Sequence, residues 1–454
     1  MRTIVQLIII GFILNSCASK DTPSSNAELE KTADKLVQHY IDDGKAAGIS
    51  IAVFRGKEKL LLKSYGFADL EFDVKLPADA SFEIGSVTKQ FTAAAIFQLL
   101  EQGKLGLDDD VTKYIKFDTQ GKKVTIRHLL THTSGIKGYT ELPWFEQIAD
   151  RKFARDTLLR LVEKEPFDFD PGEALIYSNS GFFMSGLIIE KVSGLSFEEY
   201  VSKNLFDKAG MKNSYYGSEN KIVKNRSHGY DMSDKGLVRT AYLDHTWPYA
   251  AGSLCSTVED LVKWNDALHH GKILSSQIYD QFITPAKLND GTVTHYAHGI
   301  SVVERDGKRV IEHGGGINGF YSLNRYYPAD DMSIVVLINT AGPVFPAEIT
   351  NQIADFIYTK PPQETHTFDG DISKLVGVYQ GRGRGTDLVV NIIKNDSGLS
   401  ATQTGEDKPK PLQYLGDNKW SVGNSVYIFS GTGDDFNELR VDETYGYYIL
   451  KKTE

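Results

Sequence analysis

The sequence predicts a chain of mixed helix and strand in two parts, a large domain followed by a small all-β one. Three observations lead there. Near the front, Ile49–Phe54 and Lys59–Gly66 carry a strand pattern and face each other across Arg55-Gly56-Lys57 as a hairpin. Segments with apolar residues at helical spacing fill the middle, and strand patterns return from Gly299. Lys360-Pro361-Pro362-Gln363-Glu364-Thr365 then reads as a linker within 359–367, and the tail, 368–454, is strand-like to its end. At 454 residues there is length for two domains. A 41% hydrophobic, 24% charged composition is that of an ordinary globular protein.

The N-terminus comes first. Arg2 precedes an apolar run, Ile4–Leu14, that is too short to span a bilayer and patterned as a secretory signal over residues 1–16. Leu14-Asn15-Ser16-Cys17 resembles the lipobox of bacterial lipoproteins. That resemblance implies cleavage before Cys17, a lipid on Cys17 and a membrane-anchored place in the bacterial cell envelope. Residues 17–27 then serve as the lipidated tether, small and polar. The other cysteine, Cys255, sits among small apolar residues and reads as a buried, inert thiol.

Leu29, Ala33, Leu36, Val37, Tyr40 and Ile41 mark an amphipathic helix ended near Gly44. A second helix runs from Val87 to about Gly103, and Leu107–Val111 opens a short element. Val124–Gly135 starts strand-like and passes into a short helix. Residues 136–170, with Tyr139, Trp144, Phe145 and Phe153, suit an insertion over a cleft. Pro171–Gly181 is a loop entering a helix, Phe182–Val192, stopped by Gly194. Residues 195–270 read as helix and loop, with Ser256 or Thr257 capping a helix over Val258–Leu268. Strands are expected at Ile300–Glu304, Arg309–Glu312, Phe320–Tyr327 and Met332–Ile338, with turns at Asp306-Gly307 and Pro328–Asp331, then a helix over Pro346–Tyr358. In the tail, Leu388–Ile393, Trp420–Phe429 and Tyr445–Leu450 suggest a barrel or sandwich.

A net charge of -10 argues against a nucleic acid as partner. Candidate chemistry lies at three places. Ser86 and Lys89 share a face at the start of the second helix, with Cβ atoms roughly 5–6 Å apart. A lysine in a desolvated pocket can take the proton of a serine hydroxyl. Ser86 taken alone reads better as a plain N-cap, and Ser134-Gly135-Ile136-Lys137 and Ser218-Glu219-Asn220-Lys221 repeat the spacing without opening a long apolar helix. Tyr177 and Asn179 can project to one side of their loop, where a tyrosine near an ammonium can shuttle a proton. His313 heads a glycine run, Gly314-Gly315-Gly316, whose N–H groups could serve an oxyanion. His128 and His132, four apart, read as packing residues, and no metal or other cofactor is expected.

Taken in order, Ser86-Val87-Thr88-Lys89, Tyr177-Ser178-Asn179 and His313-Gly314-Gly315 resemble the serine β-lactamase/transpeptidase superfamily in its class C-type branch, over residues 28–358. The resemblance implies an α+β fold, an antiparallel sheet flanked by helices beside an all-helical lobe, with a lipocalin-like module behind. It implies Ser86 as the acylated nucleophile, Lys89 and Tyr177 sharing the base and acid work, and Asn179 orienting Lys89 and touching substrate. The N–H groups of Ser86 and Gly316 form the oxyanion hole, and His313 stands where the branch usually has a lysine. A mostly neutral histidine there favours an esterase or a D-amino-acid peptidase or amidase on a small-molecule or peptide substrate. The alternatives are a β-lactamase, a D-alanyl-D-alanine carboxypeptidase, and a penicillin-binding or sensor lipoprotein without turnover. Everything depends on folding bringing Ser86, Lys89, Tyr177 and the glycine run together.

Overall fold

The computed structural model describes residues 26–218, 220–360, 366–396, 398–432 and 435–453. The signal run, Cys17 and residues 361–365 of the linker lie outside the described residues. Among the described residues no helix is long and apolar enough to cross a membrane.

The front hairpin forms from Gly48–Arg55 and Glu58–Asp69. On its other edge Gly48–Arg55 pairs with Met332–Ile338, which stitches the two ends of the large domain into one sheet. The sheet has seven antiparallel strands, in the order Ser301–Arg305, Lys308–Ile317, Phe320–Tyr327, Met332–Ile338, Gly48–Arg55, Glu58–Asp69, Val74–Lys75. Its central strands are apolar on both faces because both faces are covered. Ile49, Ile51, Val53, Ile334 and Val336 point to one side, where helices Asn26–Asp42 and Pro346–Ile357 bring Leu29, Val37, Ile349 and Ile353. Ala52, Val335 and Leu337 alternate to the other side and join the core of the helical lobe. Along the middle of that lobe runs Thr88–Glu101, buried all round from Thr88 to Leu99. The result is the expected α+β arrangement of sheet and helical lobe.

Three elements differ from expectation. The stretch read as helix and loop contains a hairpin, Tyr230–Ser233 with Gly236–Arg239, whose turn glycine has φ +104°. The glycine run does not sit beside a strand but inside one, Lys308–Ile317. Trp420–Phe429 is not one strand: Gly423 at φ +59° folds it into a hairpin of Lys419–Val422 and Ser425–Thr432.

The tail is a meander of strands from Gly377–Arg382 to Gly446–Lys452. Its first strand pairs with its last, Tyr379 against Lys452, so the sheet curls into a barrel-like shape. Leu375, Tyr379, Val390, Ile392, Phe429 and Leu450 fill it. The last strand also pairs with Leu175–Ile176 of the large domain. Ion pairs Arg382–Asp168 at 2.9 Å, Arg440–Asp290 at 2.7 Å and His295–Asp442 at 2.9 Å hold the same seam. Ile176 is the residue before Tyr177, so the barrel is fastened beside the candidate site.

Candidate active site

Ser86 lies on a single 3-10 turn, Gly85–Val87, just ahead of the long buried helix. Neither element starts with a side-chain cap, so the hydroxyl is free of the capping role. Gly85 makes the turn at φ +48°. From Ile84 to Leu99, Ser86 alone is not buried. Lys89, one turn on, is fully enclosed at 0% exposure, with Nζ 3.0 Å from Ser86 Oγ. Nζ also donates to Asn179 Oδ1 and to the Ala251 carbonyl, both at 2.8 Å. A neutral amine has two hydrogens and one lone pair. With both hydrogens committed to those oxygens, the lone pair is left facing the serine. Burial, helped by the charge of Arg384, pushes the Lys89 ammonium well below its usual range.

The glycine strand runs directly against the Ser86 turn. A Cβ at Gly315 would stand 2.1 Å from the Ile84 carbonyl oxygen, 2.3 Å from Ser322 Oγ and 3.0 Å from the Ser86 nitrogen. Only glycine permits that approach. Gly314 turns its N–H away from the neighbouring Phe320–Tyr327 strand, to the Tyr445 hydroxyl at 2.6 Å. Gly316, two residues on, puts its N–H on the same edge of the strand, and its backbone packs against Gly85 of the Ser86 turn. Gly315→Ala is therefore expected to shift the strand and lower kcat roughly 10²-fold, read by steady-state kinetics on a preparation whose circular dichroism is unchanged. Gly314→Ala, whose Cβ would meet nothing closer than Tyr445 Oη at 3.2 Å, is the milder comparison.

Tyr177 is buried, with Lys89 Nζ 4.8 Å above its ring. Burial raises its phenol above the usual range, while a hydrogen bond with Ser86 and the charge of Arg384 pull the other way. It stays protonated at neutral pH. Asn179 opens the helix Asn179–Ser193 and links outward: its Nδ2 donates to Thr140 Oγ1 at 3.0 Å, Thr140 donates to Glu141 Oε1 at 2.8 Å, and Arg384 Nε donates to the same oxygen at 2.7 Å.

His313 is 1% exposed. Its Nδ1 donates to the Gly314 carbonyl at 2.5 Å, and its Nε2 accepts from the Tyr296 hydroxyl at 2.9 Å. Burial and the Lys89 charge push it down to about 3, so it is neutral. It walls the site with both ring nitrogens occupied. His128 and His132 do not form a pair: His128 completes a capping box with Thr125, and His132 Nδ1 accepts from Ser178 N at 3.1 Å.

Ser86, Tyr177, Asn179, His313, Gly315 and Gly316 all line one cavity of about 460 Å³, with Lys89 beneath its floor. A smaller lobe of about 130 Å³ opens on the other side of Ser86, walled by Tyr139, Phe145, Leu243 and Ile317. The 136–170 segment thus does border the cleft. Sequence reasoning missed the barrel's share. Arg384, from the turn after Gly377–Arg382, and Tyr445, from the turn before Gly446–Lys452, line the larger cavity. The Gly381-Arg382-Gly383-Arg384-Gly385 pattern signals a turn bearing guanidinium groups, but nothing local says what that turn faces.

The Beta-lactamase family model matches residues 33–358. PbpX of Bacillus subtilis (strain 168) is 27% identical over 336 residues, 74% of this chain and 81% of PbpX. The octameric penicillin-binding protein homologue from Pyrococcus abyssi superposes with a TM-score of 0.66 at 25% identity, covering 93% of this chain and 100% of its own. The D-amino acid amidase from Ochrobactrum anthropi SV3 shares the fold, with a TM-score of 0.63 at 22% identity, covering 72% of this chain and 98% of its own.

Proposed function

Because this chain belongs to the beta-lactamase family, we propose that it is a serine hydrolase that passes its substrate through an acyl-enzyme on Ser86. The observation that carries the proposal is Lys89: an enclosed amine 3.0 Å from Ser86 Oγ, with two further oxygens taking its hydrogens. In this reading Lys89 removes the Ser86 proton as Oγ attacks a carbonyl carbon. The N–H groups of Ser86 and Gly316 hold the oxyanion. Tyr177, still protonated, donates to the departing oxygen or nitrogen. Water then attacks the ester on Ser86 by the reverse proton path and frees the acid.

We infer an esterase or a D-amino-acid amidase or peptidase within that class. Neutral, fully bonded His313 supplies no cation of its own where the class C-type branch has a lysine, and the likeness to a D-amino acid amidase fold is consistent with this choice. The Ile4–Leu14 run and Cys17 support a lipid-anchored protein of the cell envelope. The test is a panel run side by side: p-nitrophenyl esters, D- and L-aminoacyl amides, muropeptides and nitrocefin. Esters or D-aminoacyl amides are expected to be turned over fastest. Fastest turnover of nitrocefin or muropeptides would assign a β-lactamase or carboxypeptidase instead. A stable acyl adduct without product release would assign a sensor.

A further inference from the structure

We propose that Arg384, carried into the cleft by the C-terminal barrel, anchors an anionic group of the substrate, with the Tyr445 hydroxyl as a second donor. The substrate class is then an ester or amide that bears a carboxylate near the bond broken. This deepens the Ser86 reading and rests on it for where that bond lies.

Three arginines line the cavity, Arg305, Arg325 and Arg384. The first two are committed to Glu312: Arg305 Nη2 and Arg325 Nε each lie 2.6 Å from one of its oxygens, and Arg325 Nη1 donates to Asn351 at 2.9 Å. Arg305 spends Nε and Nη2 on one Glu312 oxygen, and Arg384 holds Glu141 Oε1 in the same way, with no partner for Nη1 among the described residues and a side chain 43% exposed. What sets Arg384 apart is where it lies. Its Cζ stands 4.8 Å over the ring of Tyr177, which lines the same cavity as Ser86. The guanidinium is thus held by Glu141 and by the ring, on a residue that lines the cavity of the nucleophile.

Tyr445 supplies the second group. Its oxygen accepts from Gly314 N at 2.6 Å, so its own hydrogen remains to be given. Its ring stacks on His313 with centroids 4.9 Å apart. His313 is neutral and fully bonded, so the cation facing this end of the cleft comes from a different domain. The turn of Arg384 cannot drift away, because Arg382 pairs with Asp168 and Gly385 packs on Glu141.

The test uses two esters that differ only in charge, phenyl acetate and 3-carboxyphenyl acetate, with the full chain, Arg384→Gln and Arg384→Lys. A charge-assisted hydrogen bond predicts a kcat/KM ratio of about 10 in favour of the carboxylated ester. Arg384→Gln is expected to bring the ratio to about 1, and Arg384→Lys to restore part of it. A second arm measures binding of both esters by calorimetry to Ser86→Ala, with and without Arg384→Gln, and expects the same preference and the same loss. A ratio near 1 in the unaltered chain, or a preference that survives Arg384→Gln, overturns the proposal. Hydrolysis that persists in Ser86→Ala would instead overturn the nucleophile, and the ratio would still decide the anchor.

Discussion

Ser86→Ala is expected to remove turnover, by roughly 10⁴-fold or more in kcat, while KM or substrate affinity changes little. The size follows from what the hydroxyl does. It is the one residue not buried in the stretch Ile84–Leu99 and, among the described residues, the only hydroxyl set against both Lys89 and the glycine strand. Without it no acyl-enzyme forms. What remains is the glycine edge and the cavity walls, which can still hold a substrate but have nothing to attack it with. Alanine removes only an oxygen from a half-buried turn that lacks a capping bond, so the fold is expected to hold. The check is steady-state kinetics beside a thermal melt: lost turnover with an unshifted melt fits, and lost turnover with lost structure does not.

Lys89→Met is the second large effect, a fall in kcat of roughly 10³-fold. Methionine matches the stem of lysine, so the buried space stays filled, but the Asn179 and Ala251 oxygens lose their donor and Ser86 loses its base. The pH profile carries the sign. Only the neutral amine can take the serine proton, so kcat/KM should rise with pH as Lys89 deprotonates. Burial sets that rise well below the range of an ordinary lysine. Tyr177 acts while protonated and its phenol is held above the usual value, so activity should persist through neutral and mildly basic pH. In Lys89→Met the residual rate should lose the rising limb. A profile of the same shape would assign the base elsewhere.

The links from Lys89 outward explain how the two domains meet in one site. Asn179, Thr140 and Glu141 connect the amine to Arg384 through side-chain hydrogen bonds, and Leu175–Ile176 is a strand partner of the barrel's last strand. The barrel therefore borders the cavity rather than merely following the large domain.

Much of the large domain was legible because its signals are local. Phe320–Tyr327 and Met332–Ile338 fall where their apolar runs end at Pro328–Asp331, and Gly194 stops its helix with φ +74°. Ser86, Lys89, Tyr177, Asn179 and the glycine run were legible as a set, since each needs a residue type at a fixed spacing. The strand identity of Gly314–Gly316 was not, because glycine has little strand propensity and the pressure to be glycine comes from Ile84, far away in sequence. Arg384 and Tyr445 were hidden for a related reason: each sits on a turn, and a turn's sequence specifies its bend but not what it faces. The neutrality expected of His313 follows from its residue type, whereas its commitment to Tyr296 depends on a residue whose neighbourhood no pattern announced.

The most direct measurement is covalent. The folded chain treated with a fluorophosphonate and weighed intact should gain one phosphonyl group, mapped by peptide sequencing to Ser86 and absent from Ser86→Ala. No adduct on folded protein, or an adduct on any other residue, would contradict the account.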